Sequence, residues 1–214
     1  LVIPMAAHAG FGPERPTKPY NPGAPGFNQP TFNSYTGTPY SGDERNFFKG
    51  QSTTGTTNSG WADPMTVNAN GEYYMRVYIH NGADPSLNNN AGKTGVATGT
   101  SVKIALPATT NKQAVATIHA DNASPKDITD TLDVKSNGDL NLNYVPGSAM
   151  LYSHGSPGGI KLSDSIVNGG VTVGSEKLDG RWLGCFEYAG YVFIKVKTST
   201  PVEKPAISIA KTAS

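Results

Sequence analysis

The sequence predicts an all-β fold, an antiparallel Ig-like or jelly-roll-type sandwich with an extended Pro/Gly-rich N-terminal arm. Apolar and polar residues alternate at period 2 in several segments, and turn residues recur between those segments. No stretch of about 10 to 12 residues sustains the 3.6-residue period of a helix. Charged residues make up only 15% of the 214 residues, and Thr, Ser, Asn and Gly fill many polar positions, which favours strands and turns.

The first predicted unit is the arm at residues 1–45. Eight of the 16 prolines lie between Pro4 and Pro39, where apolar residues are few, so the arm cannot build a core or a helix of its own. Its first nine residues form an apolar tip that we expect to be buried on the protein's own body or on a neighbouring copy. Residues 7–9 also have the A-x-A form of a signal-peptidase site, so the tip has a second interpretation as a signal-peptide remnant.

The second predicted unit is the sandwich, at residues 46–200. Between residues 72 and 80, alternate positions place on the core face Tyr73, Met75, Val77 and Ile79. The opposite face carries Tyr74, Arg76, Tyr78 and His80. The same alternation predicts strands at residues 101–106, 113–120, 128–135, 140–145, 149–152, 171–173 and 191–197. The predicted core includes Val77, Ile79, Val102, Ile104, Leu142, Val192, Ile194 and Val196.

Turn residues separate these strands. Residues 137–139 (Asn-Gly-Asp) predict a hairpin turn, and the Pro-Gly pairs in 146–147 and 157–159 predict breaks between strands. Residues 179–182 allow one short turn of helix. Prolines 201 and 205 then mark a linker before a last short strand, so residues 201–214 are predicted to form a linker and a terminal strand.

The histidines and the loop carboxylates predict no metal site. Histidines at positions 8, 80, 119 and 154 are widely separated and lack the spacing of metal ligands. We expect His80 and His119 on the solvent faces of strands. Asp84 is the only carboxylate in the loop at 81–90, too few for a calcium site.

Nucleotide, nucleic-acid and membrane functions also lack support. Residues 90–94 end like a phosphate-binding loop, but Leu87 stands where that motif requires glycine. The net charge is +1 with no basic stripe, so binding to nucleic-acid phosphates is not expected. No apolar run approaches the roughly 20 residues of a membrane-spanning helix. We expect no cofactor and no transmembrane segment.

Candidate catalytic groups are scattered. Asp127, Asp130 and Asp133 recur every third residue, which in a strand places them on alternating faces rather than in one cluster. The only cysteine, Cys185, precedes Phe186 in an aromatic segment, a setting that favours a small buried hydrophobe over a reactive thiol. We therefore expect that the protein is not an enzyme.

Several segments resemble a family of largely uncharacterised bacterial surface proteins. They are residues 12–17 (GPERPT), 31–34 (TFNS), 42–47 (GDERNF), 144–149 (YVPGSA), 161–166 (KLSDSI), 178–180 (LDG) and 184–192 (GCFEYAGYV). Such proteins are similar to the conserved repeat domains of cell-wall proteins. The resemblance implies an Ig-like β architecture, export and an extracellular or cell-surface location. It implies no catalytic residue and no ligand.

The sequence favours two functions over an enzymatic one. The favoured one is an extracellular structural subunit, a homopolymer assembled head to tail into a filament or layer by β-strand addition, because an arm without a core can add a strand to a neighbour's sheet. The predicted assembly residues are Leu1, Val2, Ile3, Met5, Phe11, Ile207 and Ile209. The alternative is a monomeric adhesin or glycan-binding module that contacts a cell wall or host surface. Its predicted contact residues are Tyr20, Tyr35, Tyr40, Trp61, Tyr73, Tyr74 and Tyr78.

Overall fold

The computed structural model describes residues 10–52 and 60–202 of the chain, and its secondary structure is almost entirely β. The strands are β1 (Lys18–Pro19), β2 (Tyr35–Thr36), β3 (Phe48–Ser52), β4 (Met65–Thr66), β5 (Glu72–Ile79), β6 (Ser101–Ala105), β7 (Lys112–His119), β8 (Asp127–Lys135), β9 (Asn141–Tyr144), β10 (Met150–Ser153), β11 (Ser156–Lys161), β12 (Val171–Thr172) and β13 (Gly190–Ser199). Short 3₁₀-helices lie at Pro85–Asn88, Asp164–Val167 and Phe186–Tyr188. Among these residues, no helix has the length and apolar character needed to cross a membrane.

Two sheets form the sandwich. The six-stranded sheet has the order β11-β10-β13-β5-β3, and β9 pairs with the C-terminal part of β13. The five-stranded sheet has the order β12-β6-β7-β8-β4, antiparallel except for the β4–β8 pair. Alternate side chains of both sheets meet in one buried cluster, as period-2 burial along β5, β8 and β13 requires. The all-β sandwich predicted from the sequence is therefore confirmed.

The predicted strands agree with the structure to within one or two residues, and all eight predicted core residues are buried. Three details were wrong. Residues 157–159 do not break the chain but lie inside β11, an edge strand that tolerates Pro157. The turn at 137–139, where Gly138 has φ +79°, joins β8 to β9 in the other sheet and closes no hairpin. Residues 179–182 are not helical, and the nearest 3₁₀-turn is Phe186–Tyr188.

Residues 10–45 pack on the body of their own chain. Gly12 pairs with Thr129 of β8, and Phe32 pairs with Asn81 just beyond β5. The side chain of Phe32 is only 1% exposed and belongs to the main core. The expectation of a coreless arm lying on a neighbouring copy does not hold for these residues. Their few aromatic side chains pack against the body of the same chain instead.

The predicted assembly residues divide into two groups. Phe11 packs on its own chain, where the guanidinium of Arg45 lies 4.5 Å from the centre of its ring. The others, Leu1, Val2, Ile3, Met5, Ile207 and Ile209, lie outside the described residues.

One buried carboxyl links the two sheets. Asp130 of β8 is 1% exposed on the core face, where its Oδ2 accepts the backbone N–H of Phe48 in β3 at 2.8 Å. Its Oδ1 accepts the N–H of Thr131 at 2.9 Å. Burial outweighs these hydrogen bonds and raises the pKa of Asp130 to about 7. Asp127 and Asp133 flank it on the opposite face of the strand, as the spacing predicted.

Replacing Phe32 tests whether residues 10–45 belong to the folded body. We expect Phe32→Ala to lower the free energy of unfolding by about 3 to 5 kcal/mol, because a fully buried aromatic ring leaves a cavity in the core. Urea unfolding followed by tryptophan fluorescence measures the loss. Tyr40→Ala is the matched control in the same segment, since Tyr40 is 84% exposed and its loss should cost little. A loss below about 1 kcal/mol for Phe32→Ala would show that the segment is not part of the core.

Asp130 should make stability depend on pH. Its pKa is raised from an unfolded value near 3.8 to about 7, so between these values the folded chain binds more protons than the unfolded chain. The free energy of unfolding should therefore fall as pH rises through this window, by up to about 4 kcal/mol from this one group. Asp130→Asn mimics the protonated carboxyl and cannot ionise. Its free energy of unfolding should therefore lack the fall with rising pH that Asp130 causes. Urea unfolding of both proteins from about pH 4 to pH 8 measures it, and two parallel pH curves would contradict the prediction.

Candidate functional site

The candidate site lies on the outer face of the six-stranded sheet, the face turned away from the core. Along β5 this face carries Tyr74, Arg76 and Tyr78, and His80 follows the strand on the same side. Residues 10–45 cover the end of the face near Tyr78 and His80. The end near Tyr74 and Arg76 stays open.

The covered end is held by a buried carboxylate. Glu44 and His80 are both 0% exposed, and Nδ1 of His80 lies 2.9 Å from Oε1 of Glu44. Glu44 also accepts the backbone N–H of Tyr35 at 3.1 Å and the hydroxyl of Tyr78 at 3.3 Å. Burial, followed by the adjacent Glu44 carboxylate, raises the pKa of Tyr78, so its hydroxyl stays protonated and donates.

The prediction that His80 faces solvent is therefore wrong. The alternation placed it correctly on the outer face, but the chain at residues 27–45 returns over that face. Asn33 fixes the approach, because its Oδ1 accepts the N–H of His80 at 2.7 Å and its Nδ2 donates to the carbonyl of Tyr78 at 2.8 Å. His119 of β7 lies on a partly exposed face, as predicted, with Nδ1 2.9 Å from Asp127.

The open end forms an aromatic cleft, which we define by Trp61, Tyr74, Tyr152, Tyr191 and Phe193. The cleft has a volume of about 620 Å³, and Gln51 and Lys195 add polar groups to its wall. Phe193 lies at its centre. Its ring centre is 5.6 Å from that of Trp61 and 5.5 Å from that of Tyr152, the latter in an edge-to-face arrangement. The sheet thus presents several partly exposed ring surfaces to solvent, where a sandwich ordinarily presents polar side chains.

Arg76 does not line the aromatic cleft itself but packs against two of its rings. Its guanidinium is 4.5 Å from the ring centre of Trp61 and 4.9 Å from that of Tyr191, so aromatic rings flank the cation. Burial lowers the pKa of Arg76, and burial together with Arg76 lowers the pKa of Lys49, its direct cross-strand neighbour. Among the described residues Arg76 forms no ion pair, and its buried Nε has no hydrogen-bond partner.

The aromatic residues predicted as contacts are divided by the fold. Trp61 and Tyr74 lie in the aromatic cleft. Tyr35, Tyr73 and Tyr78 are buried, Tyr20 packs edge-on against Phe186, and Tyr40 is exposed away from the cleft. The prediction missed Tyr152, Tyr191 and Phe193. A signal for two of them was present, since positions 191 and 193 alternate with the core residues Val192 and Ile194 and so share the outer face.

A second cavity, of about 370 Å³, lies at the covered end and has Cys185 and His80 in its wall. We call it the thiol cavity. Cys185 is only partly buried, so the expectation of a buried hydrophobe is not met: its side chain borders open space. Its backbone has φ +107° and ψ 150°, a region that is essentially restricted to glycine. The ring of Phe186 covers His80, with 4.0 Å between ring centres.

Within residues 10–52 and 60–202, no group of three or more His, Cys, Asp or Glu side chains is arranged to hold a metal ion. Asp84, the carboxylate of the loop at 81–90, caps the 3₁₀-helix Pro85–Asn88 by accepting the N–H of Ser86 at 3.0 Å. It also accepts the N–H of Gly26 at 2.9 Å. Its hydrogen bonds thus serve the fold of these loops.

Comparison with known proteins yields no relative for this chain: no family model matches it, and neither does a curated protein or a solved structure. The resemblance to bacterial surface proteins therefore stays a prediction, and the function must be argued from the aromatic cleft and the thiol cavity themselves.

Proposed function

We propose that this protein is a non-catalytic extracellular binding module that holds an acidic glycan in the aromatic cleft. The observation that carries the proposal is the grouping of five partly exposed aromatic side chains on one sheet face, two of which, Trp61 and Tyr191, flank the guanidinium of Arg76. The resemblance to bacterial surface proteins supports a cell-surface location, where glycans of a cell wall or a host are the accessible partners.

The aromatic side chains support a glycan as the ligand. A sugar ring has an apolar face made of C–H groups and an edge made of hydroxyls, so it matches a surface that offers aromatic faces beside polar groups. Trp61 and Tyr152 lie on either side of Phe193, which gives the cleft an extended aromatic floor. Gln51 and Lys195 stand at the wall, where hydroxyl groups of a bound sugar can form hydrogen bonds.

Arg76 supports an acidic ligand. Arg76 is a partly desolvated cation with no carboxylate partner in the described part of the chain, which raises the energy of the free protein, and Lys49 directly across the strand pair adds like-charge repulsion. A uronate or sulfate group bound beside Arg76 would offset both costs, because charge-assisted hydrogen bonds to a guanidinium are among the stronger polar contacts. Neutral glycans lack that gain.

Removing an aromatic anchor tests the binding. We expect Trp61→Ala to weaken binding of an acidic oligosaccharide by at least about tenfold, since loss of a buried aromatic contact costs about 2 kcal/mol. Isothermal titration calorimetry against pectic oligogalacturonides, heparin fragments and neutral cello-oligosaccharides measures the affinity and shows which class of glycan binds. Tyr40→Ala, an exposed tyrosine outside the cleft, is the matched control and should bind like the wild type. Equal binding by Trp61→Ala and wild type, or binding of none of the three classes, would exclude this function for the aromatic cleft.

A head-to-tail structural subunit is the second candidate, favoured by one open edge. β11 ends the six-stranded sheet, and within the described part of the chain no strand or bridge pairs with its outer side. An unpaired edge can accept a strand from another copy, although Pro157 withdraws one donor from it. The donor under this candidate is the apolar tip at residues 1–5 or the terminal strand with Ile207 and Ile209.

Charged substitutions in the tip test this second candidate. If the tip adds to a neighbour's sheet, the double change Val2→Asp with Ile3→Asp should convert a concentration-dependent polymer into a monomer that keeps its β circular-dichroism spectrum. Sedimentation velocity over a range of concentrations measures the change. His8→Asp, outside the apolar run of the tip, is the control. A wild-type chain that stays monomeric at all concentrations would remove this candidate and leave glycan binding untouched.

A further inference from the structure

The thiol cavity brings together three groups that the proposed glycan site does not use. Cys185 and His80 both line it, and Glu44 lies behind His80. Of these residues His80 and Glu44 are fully buried, whereas Cys185 is partly open. They come from three separate parts of the chain: Glu44 contacts His80 directly, and Cys185 lines the same cavity as His80 without a hydrogen bond to it.

The hydrogen bonds around Glu44 determine which nitrogen of His80 can act. A carboxylate can only accept, and Glu44 already accepts the Tyr35 backbone N–H and the Tyr78 hydroxyl, so we assign the proton of its contact with His80 to Nδ1. In the neutral ring, Nε2 then holds the free electron pair. This Nε2 is buried and has no hydrogen-bond partner among the described residues. A buried acceptor of this kind is costly for the fold and calls for a ligand or a proton donor in the cavity.

The backbone at Cys185 is held in a conformation that suits glycine. The N–H of Cys185 donates to the carbonyl of Asn81 at 3.0 Å, and the carbonyl of Cys185 accepts the N–H of Tyr188 at 3.0 Å, which together fix this geometry. Glycine would take it without strain, so the backbone conformation of Cys185 costs stability relative to glycine. Strain of this type is found at positions where the side chain is needed.

We propose that Cys185, His80 and Glu44 form a thiol–imidazole–carboxylate site that takes an acyl group from an ester or thioester donor. No hydrogen bond joins Cys185 to His80 in the free chain, so the Cys185 side chain first turns toward His80. Nε2 of His80 then accepts the proton of the Cys185 thiol, and the thiolate forms a bond to the carbonyl carbon of the donor. The bond from that carbon to the oxygen or sulfur leaving group breaks, and the leaving group departs with the proton held by His80. The acyl group stays on Cys185 as a thioester, with no change of oxidation state. Glu44 is a positioning residue that holds the His80 ring in the required tautomer.

The size of the thiol cavity restricts the donor. At about 370 Å³, lined by Pro and Gly residues of the loop at 21–26 and by aromatic rings, it accepts a small, mostly apolar acyl group. Its wall at Gly82 is tightly packed, because a side chain there would meet the rings of Tyr35 and Phe27. A long peptide does not fit this space.

The test uses p-nitrophenyl acetate with the full chain. We expect one acetyl group per chain, on Cys185 by peptide mass spectrometry, with release of p-nitrophenol at a rate at least about a hundredfold above that of the same chain unfolded in urea. The folded and unfolded chains contain the same thiol, so the ratio reports the contribution of the fold. A folded chain that reacts no faster than the unfolded one, or acetylation mainly at lysines, overturns the proposal.

Variants separate chemistry from structure. His80→Asn should slow acetylation about a hundredfold, and the matched control His119→Asn, another histidine beside a carboxylate, should leave the rate unchanged. Glu44→Gln should slow it at least about tenfold, and Glu44→Asp should recover part of that loss because the carboxylate is retained. Cys185→Gly should take no acetyl group and yet unfold at higher urea concentration. A folded His80→Asn protein that reacts like the wild type overturns the proposal. If His80→Asn does not fold, the ratio of the acetylation rates of the folded and the unfolded wild-type chain decides instead.

Discussion

The buried carboxylate of Glu44 is the contact on which the outer face of this sandwich depends. It accepts hydrogen bonds from Tyr35, Tyr78 and His80, and so joins the N-terminal segment to the central strand β5. Without its donors this carboxylate would be an unpaired buried charge, one of the most costly defects a fold can contain. The segment and the strand are therefore mutually dependent. Where the segment ends, the same sheet face opens into the aromatic cleft.

Residues 10–45 cover one part of the outer sheet face, so the covered part and the open part give their polar groups different environments. Under the segment, polar groups lie in a dry environment in which hydrogen bonds and charges act strongly, as the raised pKa of Tyr78 indicates. On the open half, Arg76 is only partly desolvated and is surrounded by rings that cannot neutralise it. The first half suits chemistry on a small molecule. The second suits binding of a larger, charged and partly apolar one.

The core could be predicted from the sequence because its signal is local. Val77, Ile79, Val192 and Ile194 alternate with outward residues, and such alternation has one structural solution in a sandwich. The sites could not be predicted in the same way, because they depend on contacts distant in the chain. Glu44 meets His80 across 36 positions, and Trp61 meets Phe193 across more than a hundred. Alternation assigns His80 to the outer face, but it carries no information on which segment covers that face.

Three departures from ordinary folding rules lie on the outer side of the six-stranded sheet, although others, such as the buried indole nitrogen of Trp182, lie in the core. On the core side the buried carboxyl of Asp130 has hydrogen-bond partners for both oxygens. Those on the outer side are an arginine and a buried histidine nitrogen that have no counter-ion or hydrogen-bond partner among residues 10–52 and 60–202, and a cysteine with a backbone conformation typical of glycine. Each lowers the stability of the free protein, and local costs of this kind are retained where a site needs them. The three that lie on the outer face border the aromatic cleft and the thiol cavity, and this shared location supports the proposal that both sites are on that face.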